Sequence, residues 1–250
     1  MRSQALLPVL LAWQSLAHPT QPQELDSRFG WPDVTTFLEK VADIFPGDAV
    51  VEDVCGAITA GEVALSTLFG IPYVENDGCG DTTVIFARGT CDPSNVGVVT
   101  GPWFFKSLDS KLQESGQSLA VDGFEYPASV DGYLNGSPGN GLKFAEVIKD
   151  KLAGCPNTKL VLGAYSQGGM VVHDAAASLD SDTMSKVSAV VIFGDPYSKQ
   201  PLDNIDTSKV KIFCHEGDNI CENGPIITFA HLNYALDADA AADFVISQTQ

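Results

Sequence analysis

Apolar positions along the chain follow two rhythms, and the change between them divides it. In residues 31–70, Val34, Phe37, Leu38, Val41, Ile44 and Phe45 recur at i, i+3, i+4, i+7 spacing, which predicts a helix over 34–45 with one apolar stripe. Pro46-Gly47 ends it, and a second helix is expected from Val50 to Phe69, carrying Val51, Val54, Ile58 and Leu65. Glycines and acids from Gly70 to Asp81 break the pattern. Beyond Asp81 short continuous apolar runs alternate with helical stretches. Strands are predicted at Thr83–Ala87, Ser118–Val121, Lys159–Ala164, Val187–Phe193 and Val210–Cys214, and helices at 100–115, 141–152, after Ser166 and at 237–246. Strands without polar alternation are covered on both faces, so the expected fold is a three-layer α/β/α sandwich around a mainly parallel five-stranded sheet.

The first residues depart from both rhythms. Arg2, an apolar core from Ala5 to Trp13 and Ser15-Leu16-Ala17 read as a secretory signal over 1–17, with a flexible lead over 18–30. The leader's apolar run is too short to span a bilayer, and no later stretch approaches the ~20 residues required. The protein is expected to be secreted and soluble, acting as a monomer. Export makes the six cysteines a disulfide set, and counting alone leaves fifteen connectivities open. Zinc fits poorly, because there is no C-x-x-C and the histidines are scattered. A formal charge of −18 disfavours nucleic acid and anionic membranes. A glycosylation sequon stands at Asn135-Gly136-Ser137.

Candidate chemistry concentrates at Tyr165-Ser166-Gln167-Gly168-Gly169-Met170, where an apolar strand ends on a serine and glycines follow as a helix begins. That is the strand–turn–helix setting of a nucleophile elbow; a plain helix cap is the alternative use of such a serine. In a parallel α/β sheet functional groups gather beyond the carboxyl ends of the strands, where Arg88-Gly89-Thr90, Ser166, Asp195 and the Cys214–Cys221 stretch would all lie. A nucleophilic serine needs a base and an orienting carboxylate. His18 sits at the signal boundary, His173 is expected on the surface of the helix behind Ser166, and His215 abuts Cys214. His231 follows the apolar loop 225–230 and is the best base. With the order Ser, acid, His, the acid is Asp195, Glu216, Asp218 or Glu222. Asp218 stands out, since a Cys214–Cys221 disulfide would close an eight-residue ring around it, whereas Asp195 before Pro196 suits a turn.

These stretches together resemble the fungal cutinases, in particular those with an extended amino-terminal segment. The matching runs are 79–90, 155–169, Cys214-His-Glu-Gly-Asp-Asn-Ile-Cys221 and His231-Leu-Asn-Tyr234, in the family's order. The resemblance implies a catalytic domain over 79–250, with Ser166 as nucleophile, Asp218 as orienting acid and His231 as base. It also implies an oxyanion hole from the Gln167 amide and the amide and hydroxyl of Thr90, with no metal or cofactor. Thr90 replaces the serine of many relatives, and Ala164 replaces a glycine two residues before the nucleophile. By the same resemblance Cys79 pairs with Cys155 and Cys214 with Cys221, which leaves Cys55 for Cys91. That third bond would stitch segment 31–78 beside Thr90, and the expectation is that residues 31–70 form a partial lid over Ser166; a helix packed on the back of the sheet is the plainer alternative. The implied substrate is cutin, an insoluble polyester, or lipid-like acyl esters, with Ile226, Ile227 and Phe229 as candidate walls for an acyl chain or as core. An acetylxylan esterase and a secreted elicitor without turnover are the rival readings.

Overall fold

The computed structural model describes residues 31–72, 75–76 and 78–250, without the side chains of Asp53 and Val54. The signal at 1–17 and the lead at 18–30 lie outside the described residues. Chain order runs α1 (Val34–Ile44), β1 (Ala49–Val50), α2 (Val51–Phe69), β2 (Thr82–Ala87), α3 (Gly101–Glu114), β3 (Leu119–Gly123), α4 (Val130–Leu134) and α5 (Asn140–Gly154). It continues through β4 (Lys159–Tyr165), α6 (Gln167–Ser178), α7 (Ser181–Ser185), β5 (Val187–Phe193), β6 (Val210–Phe213), β7 (Ile226–Ile227), α8 (Phe229–Leu232) and α9 (Ala238–Thr249).

Five strands form one sheet in the order β3-β2-β4-β5-β6, every neighbouring pair parallel. Side chains alternate across it as period-two geometry demands. Val84, Phe86, Val161, Val191 and Phe193 face a core shared with α1, α2, α3 and α9. Ile85, Leu160, Leu162, Val190 and Ile192 face a second core shared with α5 and α6. The five strands and three layers expected from the apolar runs are therefore present. In those expected elements the differences lie at ends: β3 starts one residue later than expected and runs on to Gly123, and α5 and α9 each extend further. The short helices α4, α7 and α8 were not expected.

The amino-terminal segment holds what periodicity did not announce. Helix α1 is capped by the Asp33 carboxylate, which accepts from the Thr36 amide at 3.0 Å. Its stripe, Phe37, Leu38 and Val41, is buried, with the Phe37 ring 4.7 Å from that of Trp103 of α3 and tilted 44° to it. Trp31 meets the same Trp103 edge-on at 5.2 Å, with Lys106 over its face. Helix α2 starts at Val51 rather than Val50. Ala49 and Val50 are instead a strand paired antiparallel with Ile227 and Ile226, and the Val51 amide donates to the Pro225 carbonyl. Gly70, at φ 62°, closes α2 in the left-handed conformation that glycine adopts without steric cost. Three disulfides join Cys55 to Cys91, Cys79 to Cys155 and Cys214 to Cys221.

Candidate active site

Ser166 sits between β4 and α6 with φ 55° and ψ −124°. An L-residue enters that region at a cost of roughly 1–3 kcal/mol, so the surroundings must impose it. They do so from both sides: the Ser166 amide donates to the Phe193 carbonyl at 2.9 Å, and its carbonyl accepts from the Gly169 amide at 2.8 Å. Close approach accounts for the glycines. A methyl group at Gly168 would overlap the Ala87 carbonyl oxygen, and one at Gly169 would strike the Asp195 carboxylate. Ala164, where glycine was the family's usual choice, directs its methyl into the core shared with α5 and α6. The bend at Ser166 is formed with alanine in that place.

The bend aims the serine hydroxyl at an imidazole. His231 Nε2 lies 3.0 Å from Ser166 Oγ, and His231 Nδ1 lies 2.8 Å from Asp218 Oδ2. All three residues are buried. Asp218 is held by the turn inside the Cys214–Cys221 ring: its Oδ1 accepts from the Ile220 amide at 2.9 Å, and its amide donates to the His215 carbonyl. Its Oδ2 also accepts from the Tyr234 hydroxyl at 2.7 Å. Burial pushes the Asp218 carboxyl up, but the bonds and charge of His231, together with Tyr234 and the Ile220 amide, outweigh it and hold the group below its ordinary value. It is thus an ionised acceptor, which fixes the His231 Nδ1 proton in place and leaves Nε2 free to accept from the serine. The Tyr165 ring stacks on His231 at 5.0 Å, and its hydroxyl donates to the His231 carbonyl.

On the other side of Ser166, Gln167 opens α6 and Thr90 ends the loop after β2. The Thr90 hydroxyl donates to Gln167 Oε1 at 3.1 Å, and Gln167 Nε2 donates to Ser137 Oγ at 2.9 Å. The two residues named for an oxyanion hole are therefore neighbours, with Gln167 clamped between two hydroxyls. Ser137 of the sequon is buried in this clamp, while Asn135 is exposed. Arg88 fixes the loop by donating to the carbonyls of Asp92 and Tyr126.

One expectation changes and one alternative closes. His173, expected on a helix surface, is buried with Nε2 2.9 Å from Asp195 Oδ2; α6 lies under the turn after β5, so that face is interior. Asp195 is the wrong acid for His231 and does form a turn, accepting from the Tyr197 amide. Of the candidate acyl walls, Ile227 is buried beside Ser166, while Ile226 and Phe229 are exposed.

Three further residues escaped the sequence. A small, partly open cavity of about 10 Å³, room for about one water, touches Ser166, Thr90 and His231 and is walled by Val51, Ile58 and Glu62 of α2. Asp92 faces Glu62 there. Glu62 was legible only as an acid on the Cys55 side of α2, Asp92 as the acid beside Cys91, and Tyr234 as an aromatic three residues after His231.

Comparison with known proteins identifies the family. The cutinase family model matches residues 78–249. A cutinase of Hypocrea jecorina is 53% identical over 246 residues, 98% of both chains, and cutinase cut1 of Trichoderma harzianum is 52% identical over 245 residues, again 98% of both. A Botryotinia fuckeliana cutinase is 45% identical over 173 residues, covering 69% of this chain and 85% of its own. The amino-terminal segment is therefore covered by the alignment with the first two. The solved structure of Trichoderma reesei cutinase with a phosphonate inhibitor superposes with a TM-score of 0.76 at 54% identity, covering 88% of this chain and all of that one. An acetylxylan esterase at TM-score 0.55 and 22% identity shares the fold. The chain belongs to the cutinase family and is a carboxylic ester hydrolase.

Proposed function

We propose that Ser166, His231 and Asp218 form the catalytic triad of a secreted enzyme that cleaves cutin and short- or medium-chain acyl esters through an acyl-enzyme. The observation that carries this reading is the unbroken hydrogen-bond line from Ser166 Oγ through His231 to Asp218. As Ser166 attacks the ester carbonyl, His231 Nε2 takes its proton. The imidazolium formed is stabilised by the Asp218 carboxylate. The oxyanion is received by the Gln167 amide, at the start of α6 where the helix dipole favours negative charge, and by Thr90. His231 then returns the proton to the departing alcohol, and in deacylation it takes one from water.

With Ser166 buried and only about 10 Å³ of space beside it, an acyl chain has nowhere to go in this arrangement. We therefore also propose that segment 31–78 is a lid whose covering part is α2. Val51 and Ile58 close the cleft, and α1 braces α2 from behind. A polymer chain reaches Ser166 once α2 has shifted. Export is supported by three disulfides and by a helix set in which, among the described residues, none is long and apolar enough to cross a membrane.

The test is product analysis on purified protein with cutin, a butyrate ester and acetylated xylan, alongside an organophosphonate label. Release of hydroxy fatty acids, with labelling abolished in Ser166→Ala, is the expected result. Labelling that persists on the same peptide of Ser166→Ala would refute the nucleophile. Acetate release from xylan without hydroxy fatty acids would refute the substrate.

A further inference from the structure

Helix α2 meets the Arg88–Asp92 loop with three side chains at helical spacing. Cys55 is bonded to Cys91. Thr59 Oγ1 lies 2.7 Å from the Cys91 carbonyl, to which it donates. Glu62 then faces Asp92 across the small cavity that both line beside Ser166, where a protonated carboxyl of one can donate to the other. The first two contacts are indifferent to acidity. The third is not, because two carboxylates cannot share a hydrogen bond without a proton between them.

The surroundings decide which of the two carries it. Burial pushes the Asp92 carboxyl up, opposed by the Gly89 amide, which donates to its Oδ2 at 2.9 Å, and by the Arg88 guanidinium; His231 beside it adds a favourable charge only when it takes the serine proton. Glu62 is 1% exposed. Burial and the negative charge of Asp92 push its carboxyl well above the ordinary 4.5, opposed only by a bond from the Val98 main chain. Its Oε2 has no hydrogen-bond partner among the described residues, a position that would be costly for a carboxylate oxygen. Tyr165, the remaining titratable group facing the pair, is itself pushed up by burial and stays neutral. Neither acid belongs to the catalytic line of Ser166, His231 and Asp218.

We propose that Glu62 is a positioning residue acting as a proton latch: one proton shared with Asp92 holds α2 down over Ser166, and its loss frees the helix to uncover the cleft. The proposal rests on the reading of Ser166 as nucleophile and of α2 as its cover. With α2 raised, Glu62 meets water and titrates near its ordinary value. Closing therefore takes up a proton at any pH above that value. The covered form is fully favoured below about 4.5 and loses ground by up to tenfold per pH unit above it, until the covered carboxyl itself ionises.

The experiment measures hydrolysis of a soluble butyrate ester by the full mature chain, with and without a nonionic detergent, between about pH 4 and about pH 8. The ratio of the two rates cancels the pH dependence of the chemical step and reports the covered fraction. In wild type the ratio falls as pH rises, by about tenfold per unit at its steepest. Glu62→Gln, whose amide donates to Asp92 at every pH, gives a high and flat ratio. Glu62→Ala gives a low and flat one; if it does not fold, the Gln variant carries the test, with thermal melting as the control. A flat wild-type ratio, or a Glu62→Gln ratio that keeps the wild-type slope, overturns the latch. Active sites are counted with phosphonate in detergent: full labelling with a flat ratio refutes the latch alone, and no labelling refutes the Ser166 reading and the latch with it.

Discussion

The two walls of the cleft are built on opposite principles. The Ser166 wall is over-determined: a buried parallel strand, a helix start, two main-chain hydrogen bonds and two glycines without room for a methyl impose one backbone conformation. The α2 wall is attached differently. A disulfide, one hydroxyl and the Glu62–Asp92 pair tie it to the Arg88–Asp92 loop, a two-residue ladder ties its start to β7, and Val51 and Ile58 line the small space beside Ser166. Catalytic groups need positions good to a fraction of an ångström, and strain is tolerable where packing enforces it. A cover needs the reverse: contacts strong enough to close and few enough to release.

The comparison can be broken most severely at the rigid wall. Asp218→Asn leaves the volume of the side chain but removes the charge that sets the His231 tautomer, and kcat should fall by about 10⁴-fold with KM little changed. A loss of only severalfold in steady-state kinetics would show that Asp218 is not the orienting acid. Gly168→Ala places a methyl against the Ala87 carbonyl. Displacing the elbow by about 1 Å should cost about 10²-fold in turnover, visible as slowed phosphonate labelling.

The movable wall should answer differently. Replacing both Cys55 and Cys91 by serine releases a tether spanning a separation of 36 residues, worth about 4 kcal/mol on the chain-entropy account. Stability to urea should drop while the detergent-free rate on a soluble ester rises. A detergent-free rate that stays at the wild-type level would show that α2 does not limit access.

The smallest effect is expected at Tyr234→Phe, which removes one donor to Asp218 and should slow turnover by about fivefold, the worth of about 1 kcal/mol. It should also change the response to acid. The Asp218 carboxyl is held below its ordinary value, so its contribution to stability is full above that value and is lost as pH falls through the folded one. Without Tyr234 the folded value rises, and urea midpoints should begin to fall at a higher pH than in wild type. Coincident midpoint curves would assign Tyr234 to packing alone.

Where sequence reading worked, the code was local. A strand buried on both faces must be continuously apolar, a tight strand-to-helix turn must be flanked by small residues, and a carboxylate in a short sulfur-closed ring has few places to be. The five strands, the bend at Ser166 and the fixed place of Asp218 were legible for these reasons. The reading of His173 failed because periodicity reports that a helix has two faces but not which elements cover the second. Val50 was absorbed into a helix and Ala49 went unassigned because a two-residue strand has no period of its own and exists only through its partner, Ile226 and Ile227.

By itself, then, the amino-acid sequence determined the layered fold and the elbow, which depend on residues within one or two turns of chain, and it named the side chains of the proposed triad. Only the tertiary structure decided that α2 lies beside Ser166, how little space remains there, and that Glu62 and Asp92 meet. Those facts depend on segments some 30 to 175 residues apart coming into contact, and the free energy of burying two acids against each other exists only once the solvent between them has gone.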